Sequence, residues 1–465
     1  MKTILTIFLS AITMVAAFGQ DITGQWVGVL KIQAGMQLHV VFNITKSDKG
    51  YTTTMDSPDQ GAKGIPVTGT TFENAKLKLE IPAAHIEYNG ELTGDSVTGT
   101  FQQGGLKLPL NLSKKHGETQ AKRPQEPLKP YPYYSEEVTI KNEKANITLA
   151  GTLTLPKKEG IYPVVILITG SGPQNRDEEL FGHKPFLVIS DYLTRNGIAV
   201  LRYDDRGTAH STGDFKTATT LDFASDVESA IAYLKTRKDI NNKKIGLMGH
   251  SEGGVIAPIV ASKSKDVSFI VLLAGTGIRG DKLLLLQQEL IAKAMGLHDT
   301  EIAKMVASNK KIFDIVVNTT NPDSLKSKLR IAVKDAIAQN QESKKSKETM
   351  DDAAMESQVS QLTSPWMQFF IKYNPSDALA KVKCPMLAVG GEKDLQVPVK
   401  ENLPAIESAL KKGGNKQVTT KAFPNLNHLF QECKTGLPGE YATIEQTFSP
   451  IVLDEVTKWI LLRVK

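Results

Sequence analysis

The chain has little cysteine. Cys384 and Cys433 are the only two thiols among its 465 residues, which excludes a disulfide framework and leaves room for one bridge in an oxidising compartment. Neither thiol has a second ligand at CxxC or HxxxH spacing, so no metal is expected. Beyond the N-terminus, no segment reaches the roughly 18 uninterrupted apolar residues of a membrane-spanning helix, so no stable membrane insertion is expected. A basic stripe is also missing. The net charge is +6, but 56 Lys and Arg residues are interspersed with 50 Asp and Glu, and nucleic acid is not an expected partner. Lys344, Lys345 and Lys347 have acidic neighbours and read as a solvated helix face. No fixed repeat period is present, which drops solenoid and propeller architectures.

What is present is ordinary soluble composition, 40% apolar and 23% charged, over a length that suggests two or three folded units. Lys2, an apolar run from Ile4 to Val15, and the small residues Ala16 and Ala17 read as a signal peptide over residues 1–19, with cleavage before Gln20. Export to the periplasm or the medium is the expectation. No cysteine follows the run to carry a lipid anchor.

Residues 20–114 alternate in short runs broken by turns: Gln25 to Ile32, Gln37 to Thr45, Tyr51 to Met55, Lys76 to Ile81, His85 to Leu92, Ser96 to Gln102 and Lys107 to Leu112. This spacing predicts a small antiparallel β-sandwich or barrel, with Trp26 in its core or plugging one end. Pro124, Pro127, Pro130 and Pro132 mark a linker over residues 115–134, because proline neither continues a sheet nor nucleates a helix.

From residue 135 to 465 the rhythm becomes strand, loop and helix. Val164 to Ile168, Ile198 to Leu201, Ile245 to Met248, Phe269 to Leu273 and Met386 to Val389 are short unalternating apolar runs, the pattern of buried strands in a mostly parallel α/β sheet. Phe186 to Arg195, Thr220 to Lys235 and Gly253 to Ala261 have helical spacing. Polar helical sequence over about 280–373 interrupts the rhythm and predicts an inserted helical cap above the strand ends, where ligands bind in such sheets.

Gly249-His250-Ser251-Glu252-Gly253 stands between a predicted strand and a predicted helix. This is the nucleophile-elbow pattern, in which a tight turn presents a serine above the sheet and flanking glycines remove side chains that would clash. A serine hydroxyl needs a base, and the base an orienting acid. Of the eight histidines only His298 and His428 follow Ser251. His298 lies in the cap ahead of any suitable acid, whereas His428 follows the run Val418 to Phe423. Asp394 follows the strand at Met386 through a glycine turn, with Glu392 the runner-up acid. Ser251, Asp394 and His428 are therefore the expected triad. For the oxyanion, the expected donors are the amides of Glu252 and Ser171, with Gly172 next, in the loop Thr169-Gly170-Ser171-Gly172-Pro173. The charged run from Arg202 to Gly207 reads as an ion-pair scaffold beneath the site, with substrate contact the other possibility; Arg176, Asp177 and Glu178 carry the same two readings.

These segments together resemble the esterase family typified by EstD-like bacterial carboxylesterases, in the wider α/β-hydrolase superfamily. The resemblance runs from about Tyr131 to the end. It rests on Thr169-Gly170-Ser171-Gly172-Pro173-Gln174-Asn175-Arg176-Asp177-Glu178, Tyr203-Asp204-Asp205-Arg206-Gly207, the GHSEGG run from Gly249, Gly391-Glu392-Lys393-Asp394-Leu395-Gln396-Val397-Pro398, and Asn427-His428-Leu429-Phe430-Gln431. It implies hydrolysis of a small acyl ester, without a cofactor, through an acyl-enzyme intermediate. A peptidase, thioesterase or acyltransferase would use the same machinery on a different leaving group or acceptor. An envelope binding protein, with the β-domain as its ligand site and an inert hydrolase fold, is the rival from outside enzymology.

Overall fold

The computed structural model describes residues 21–33, 36–48, 50–57, 62–103, 106–114, 123–344 and 352–465. The expected signal peptide at 1–19, residues 115–122 of the expected linker, and Lys345 and Lys347 lie outside them.

Ten strands form the first sheet: β1 (Gly24–Gln33), β2 (Met36–Ser47), β3 (Gly50–Ser57), β4 (Ala62–Val67), β5 (Gly69–Glu73), β6 (Lys76–Ile81), β7 (Ile86–Thr93), β8 (Ser96–Gln103), β9 (Leu106–Pro109) and β10 (Leu112–Lys114). Their order is β4-β3-β2-β1-β10-β8-β7-β6-β5, with β9 on β8. The two ends approach each other: Thr70 of β5 bonds Thr53 of β3 at 3.0 Å. The sheet is thus an almost closed antiparallel barrel rather than a sandwich. Its interior is filled by Trp26, Phe42, Leu79, Tyr88 and Leu112, each no more than 1% exposed. Trp26 donates its indole N–H to the Ile22 carbonyl at 2.7 Å. Tyr88 bonds the Leu110 carbonyl at 3.1 Å, so both polar tips are satisfied in a dry core. β4 and β5 were not expected from the sequence pattern. Of residues 64–67 and 69–73 only Val67 is buried, so the period-2 apolar signal is absent.

Eight strands form the second sheet: β11 (Tyr134–Asn142), β12 (Ile147–Leu155), β13 (Tyr162–Ile168), β14 (Ala199–Tyr203), β15 (Ile240–His250), β16 (Val267–Leu273), β17 (Met386–Gly391) and β18 (Val418–Phe423). They run in the order β11-β12-β14-β13-β15-β16-β17-β18. β11, β12 and β14 pair antiparallel and the rest are parallel. β11 alternates exposed and buried residues along YSEEVTIKN, as an edge strand does, and in β12 glycine and threonine interrupt the apolar residues of ITLAGTLTL, so neither strand of this opening hairpin carries an unbroken apolar run.

Central strands are apolar on both faces because helices cover both. Val164, Ile166 and Ile168 belong to one core and Val165 and Leu167 to the other. The first core is closed by α2 (Thr220–Lys235), α3 (Gly253–Ala261) and α10 (Val399–Lys412), and the second by α1 (Pro185–Arg195) and α11 (Pro450–Val464). Between β16 and β17 the chain inserts α4 (Gly280–Ala294), α5 (Asp299–Asn318), α6 (Pro322–Lys344), α7 (Asp352–Thr363) and α8 (Pro365–Lys372), followed by the short α9 (Ser376–Leu379). The insert has its own small core around Phe313, Val316, Leu329, Val359 and Ile371. Among the described residues, no helix is long and apolar enough to cross a membrane.

The barrel core and the cores of the second sheet are separate clusters. Two calorimetric transitions are therefore expected, and Trp26→Ala should remove about 3–5 kcal/mol from one of them while leaving the other in place. An equal fall in both would show the two sheets to be one cooperative unit.

Candidate active site

The parallel strands deliver their carboxyl ends to one rim. There β15 ends at His250, Ser251 turns with φ +51°, and α3 begins at Gly253. A side chain at such a positive φ is strained unless its surroundings hold it. Here the Ser251 amide donates to the Leu273 carbonyl at 2.9 Å, and the Gly254 amide donates to the Ser251 carbonyl at 2.9 Å. The glycines are steric necessities. A Cβ on Gly249 would strike the Gly253 carbonyl, and one on Gly253 would strike the Ile168 carbonyl.

Asp394 and His428 arrive from neighbouring loops after β17 and β18. His428 Nδ1 lies 2.8 Å from Asp394 Oδ2, while Asp394 Oδ1 accepts the amides of Gln396 and Val397, both at 2.8 Å. The carboxylate is 2% and the imidazole residue 5% exposed. These loops touch because Lys393 donates its amide to the Leu426 carbonyl at 3.0 Å, and because Gly391 has no side chain to meet that same carbonyl. Asn427 ties the histidine loop from within, its Oδ1 accepting the amides of Leu429 at 3.0 Å and Gln431 at 2.9 Å. Among the described residues, the carboxylate that meets His428 is Asp394 and not Glu392, the alternative acid.

Ser251, His428, Glu252 and Ser171 line one cavity of about 340 Å³, together with Gly170, His250, Leu283, Trp366, Phe370 and Tyr441. A Cβ on Gly170 would sit 3.3 Å from Ser251 Cβ, so the loop after β13 lies directly against the elbow. Gly172, with φ +97°, is not among the residues lining the cavity.

Two buried carboxyls hold that loop. Asp205 accepts the Thr169 hydroxyl at 2.7 Å and the Gln174 amide at 2.9 Å. Burial pushes its carboxyl well above the usual range, and the charges of Glu178 and Glu252 add to the effect. Glu178 accepts the Gly170 amide at 2.7 Å and faces His250 Nδ1 at 2.9 Å. His250 Nε2 in turn donates to the His428 carbonyl at 3.0 Å. Burial alone would lower the His250 imidazole, but the charge and hydrogen bond of Glu178 outweigh it and raise it above its ordinary value. This Glu178–His250 pair joins the loop after β13 to the histidine loop, and motif reading did not single it out. His250 was visible only as the variable residue of the elbow, and its partner stands 72 residues away in sequence.

The charged run after β14 is occupied by structure. Asp204 takes both a backbone and a side-chain bond from Arg176, Arg202 pairs with Asp177, and Arg206 makes a two-pronged pair with Asp226 at 2.7 and 2.9 Å. Glu252, 2% exposed, accepts the Thr220 hydroxyl at 2.7 Å and the Trp366 indole at 2.8 Å on one oxygen; its burial raises the carboxyl above its ordinary value against those bonds. His183 fixes the segment bearing Tyr441, which also lines the cavity. Its Nε2 donates to the Tyr441 carbonyl at 2.9 Å, leaving Nδ1 to accept the Thr447 hydroxyl at 3.0 Å. Among the described residues, no cluster of His, Cys, Asp and Glu could hold a metal ion, and Cys384 and Cys433 are free.

A model of the X-Pro dipeptidyl-peptidase (S15) family matches residues 132–420. Esterase EstD of Thermotoga maritima is 28% identical over 331 residues, 69% of this chain and 68% of that protein. Among solved structures, an esterase of Pyrococcus furiosus aligns with a TM-score of 0.44 at 16% identity, over 75% of this chain and 100% of its own. Est1E of Butyrivibrio proteoclasticus, solved with ferulic acid, aligns with a TM-score of 0.40 at 16% identity, over 70% of this chain and 98% of its own.

Burial lowers the His183 imidazole from 6.5 to about 4. Between those values the unfolded chain binds the proton and the folded one does not, so the stability this residue contributes is complete above pH 6.5 and is lost as pH falls towards 4. Denaturant titrations from pH 7 to 4 are expected to show the stability gap between the native protein and His183→Gln shrinking by up to about 3 kcal/mol; a gap independent of pH would contradict a neutral buried His183.

Proposed function

This chain belongs to the X-Pro dipeptidyl-peptidase (S15) family, and from that premise we propose that Ser251, His428 and Asp394 act as nucleophile, base and orienting acid in the hydrolysis of carboxylic esters. The observation that carries the reading is the 2.8 Å contact of His428 Nδ1 with Asp394, made beside a serine held at φ +51° in a shared cavity. With Nδ1–H engaged by the carboxylate, Nε2 of the neutral ring is the acceptor, the tautomer needed to take a proton from a serine hydroxyl.

Ser251 Oγ attacks the ester carbonyl as Nε2 takes its proton. The developing oxyanion is met by the amides of Glu252 and Ser171, fixed dipoles that need no reorganisation as charge forms. The imidazolium, stabilised by Asp394, returns the proton to the departing alkoxide and leaves an acyl-serine. Water, deprotonated by the same ring, then releases the acid. Asp205 and Glu178 act earlier, in folding, by holding the loop that carries the Ser171 amide.

The identity to an enzyme named as an esterase favours an ester substrate. The family match favours a second reading, release of a dipeptide ending in proline by the same acyl chemistry. Ser251→Ala is expected to lower turnover of p-nitrophenyl butyrate by 10³-fold or more, and Asp394→Asn by on the order of 10⁴-fold in kcat. Near-native rates from either purified variant would refute the triad. Faster turnover of Ala-Pro-p-nitroanilide than of the butyrate by the native protein would select the peptidase reading.

A further inference from the structure

The residues on either side of Ser251 bond different parts of the fold. His250 bonds the carbonyl of His428 on the base side; Glu252 bonds Trp366 of the inserted helices on the other. The leaving oxygen of a substrate must face His428, which supplies its proton. Ser251, Glu252, Trp366 and Phe370 line the same cavity, so the side of it bounded by Trp366 is available to the acyl group.

Trp366 is held there on three counts. Ser364 caps α8, accepting the Met367 amide at 3.2 Å, and Pro365 opens the helix, so that Trp366 lies in its first turn. One turn on, Phe370 stacks on the indole with centroids 5.3 Å apart and planes at 19°. The backbone behind Phe370 is closed against Gly280, where any Cβ would strike the Phe370 carbonyl. The indole N–H is then engaged by Glu252, whose carboxyl is also gripped by Thr220 of α2. Among the described residues, no lysine or arginine lines the cavity, whose walls are the carboxyls of Glu178 and Glu252, two imidazoles, amides such as Gln287 and Gln396, and apolar side chains including Leu283, Trp366 and Phe370. A carboxylate on the acyl chain would therefore lack a lysine or arginine partner and lie in a cavity that already holds two carboxyls.

We infer that Trp366 sets the length of the acyl group this site accepts, that the acyl group is apolar and uncharged, and that Glu252 is the positioning residue that holds the indole in place. This rests on the reading of Ser251 as nucleophile. The residue after the nucleophile thereby has two separate roles: its amide faces the oxyanion, and its carboxyl fixes the far wall. Because the amide survives any side-chain substitution, the two separate experimentally.

The measurement is the ratio of kcat/KM for p-nitrophenyl octanoate to that for the butyrate. Trp366→Ala is expected to raise the ratio at least ten-fold, and Glu252→Ala to raise it in the same direction. Glu252→Gln, whose amide oxygen still accepts from the indole, should leave it within two-fold of native. Trp366→Phe, which keeps a ring but loses the N–H, should fall between native and Trp366→Ala, and the Ala/Ala double variant should go no further than Trp366→Ala alone. Calorimetric binding of the same intact esters to Ser251→Ala protein and to its Trp366→Ala derivative reads the wall without turnover. If the native protein cleaves no ester while binding still shifts towards the longer chain, the hydrolytic reading fails and the wall stands. If neither ratio nor binding moves in Trp366→Ala, or if Glu252→Gln shifts the ratio as far as Glu252→Ala, the assignment is overturned.

Discussion

Parallel pairing of β13, β15, β16, β17 and β18 is the constraint on which the rest depends. Strands that run the same way end at the same rim, so the loops after β13, β15, β17 and β18 meet although they are drawn from residues 169 to 428. Such pairing is stable only when both faces of the sheet are covered. The two helical layers are thus a condition of the site as well as of the fold. Close approach at the rim requires glycine: a side chain at Gly249 would collide with the elbow's own Gly253, and one at Gly253 or Gly391 with backbone from another segment.

A second constraint is electrostatic. Asp205, Glu178, Glu252 and Asp394 are all buried within this rim, a costly concentration of acid in a low-dielectric setting. Each is satisfied by donors that also do positional work. Asp205 and Glu178 take amides and a hydroxyl of the loop after β13, Asp394 takes two amides of its own loop, and Glu252 takes the insert's indole. Removing one of these carboxyls would therefore leave several oriented donors unpaired at once, which costs more than the loss of a single bond. The barrel offers a contrast. Its interior is packed by aromatic and aliphatic side chains, Trp26, Phe42 and Tyr88 among them.

Much of this was legible in the residues. The central strands announce themselves as unbroken apolar runs because they are covered on both sides, and the elbow announces itself because only glycine fits around Ser251. Asp394 and His428 could be selected by chain order and by the glycine turn and the strand that precede them. The strands without that apolar signal are β4, β5 and β11, with little or one-sided burial, and β12, whose buried half is interrupted by glycine and threonine. The partnership of His250 with Glu178 escaped for a different reason: a buried ion pair depends on a coincidence of two distant positions and leaves no mark in the local sequence around either.

Local sequence dictates where backbone must be tight and where it must be dry, since steric exclusion and hydrophobic burial act on each residue locally and write themselves into glycine positions and apolar runs. Which polar groups meet is set by the folded arrangement alone: that Glu178 reaches His250, that Glu252 reaches Trp366 across 114 positions, and that Lys393 and Leu426 bring the loops of Asp394 and His428 together. Hydrogen bonds between remote segments are fixed by the relative placement of helices and strands, and that placement exists only once the chain has folded.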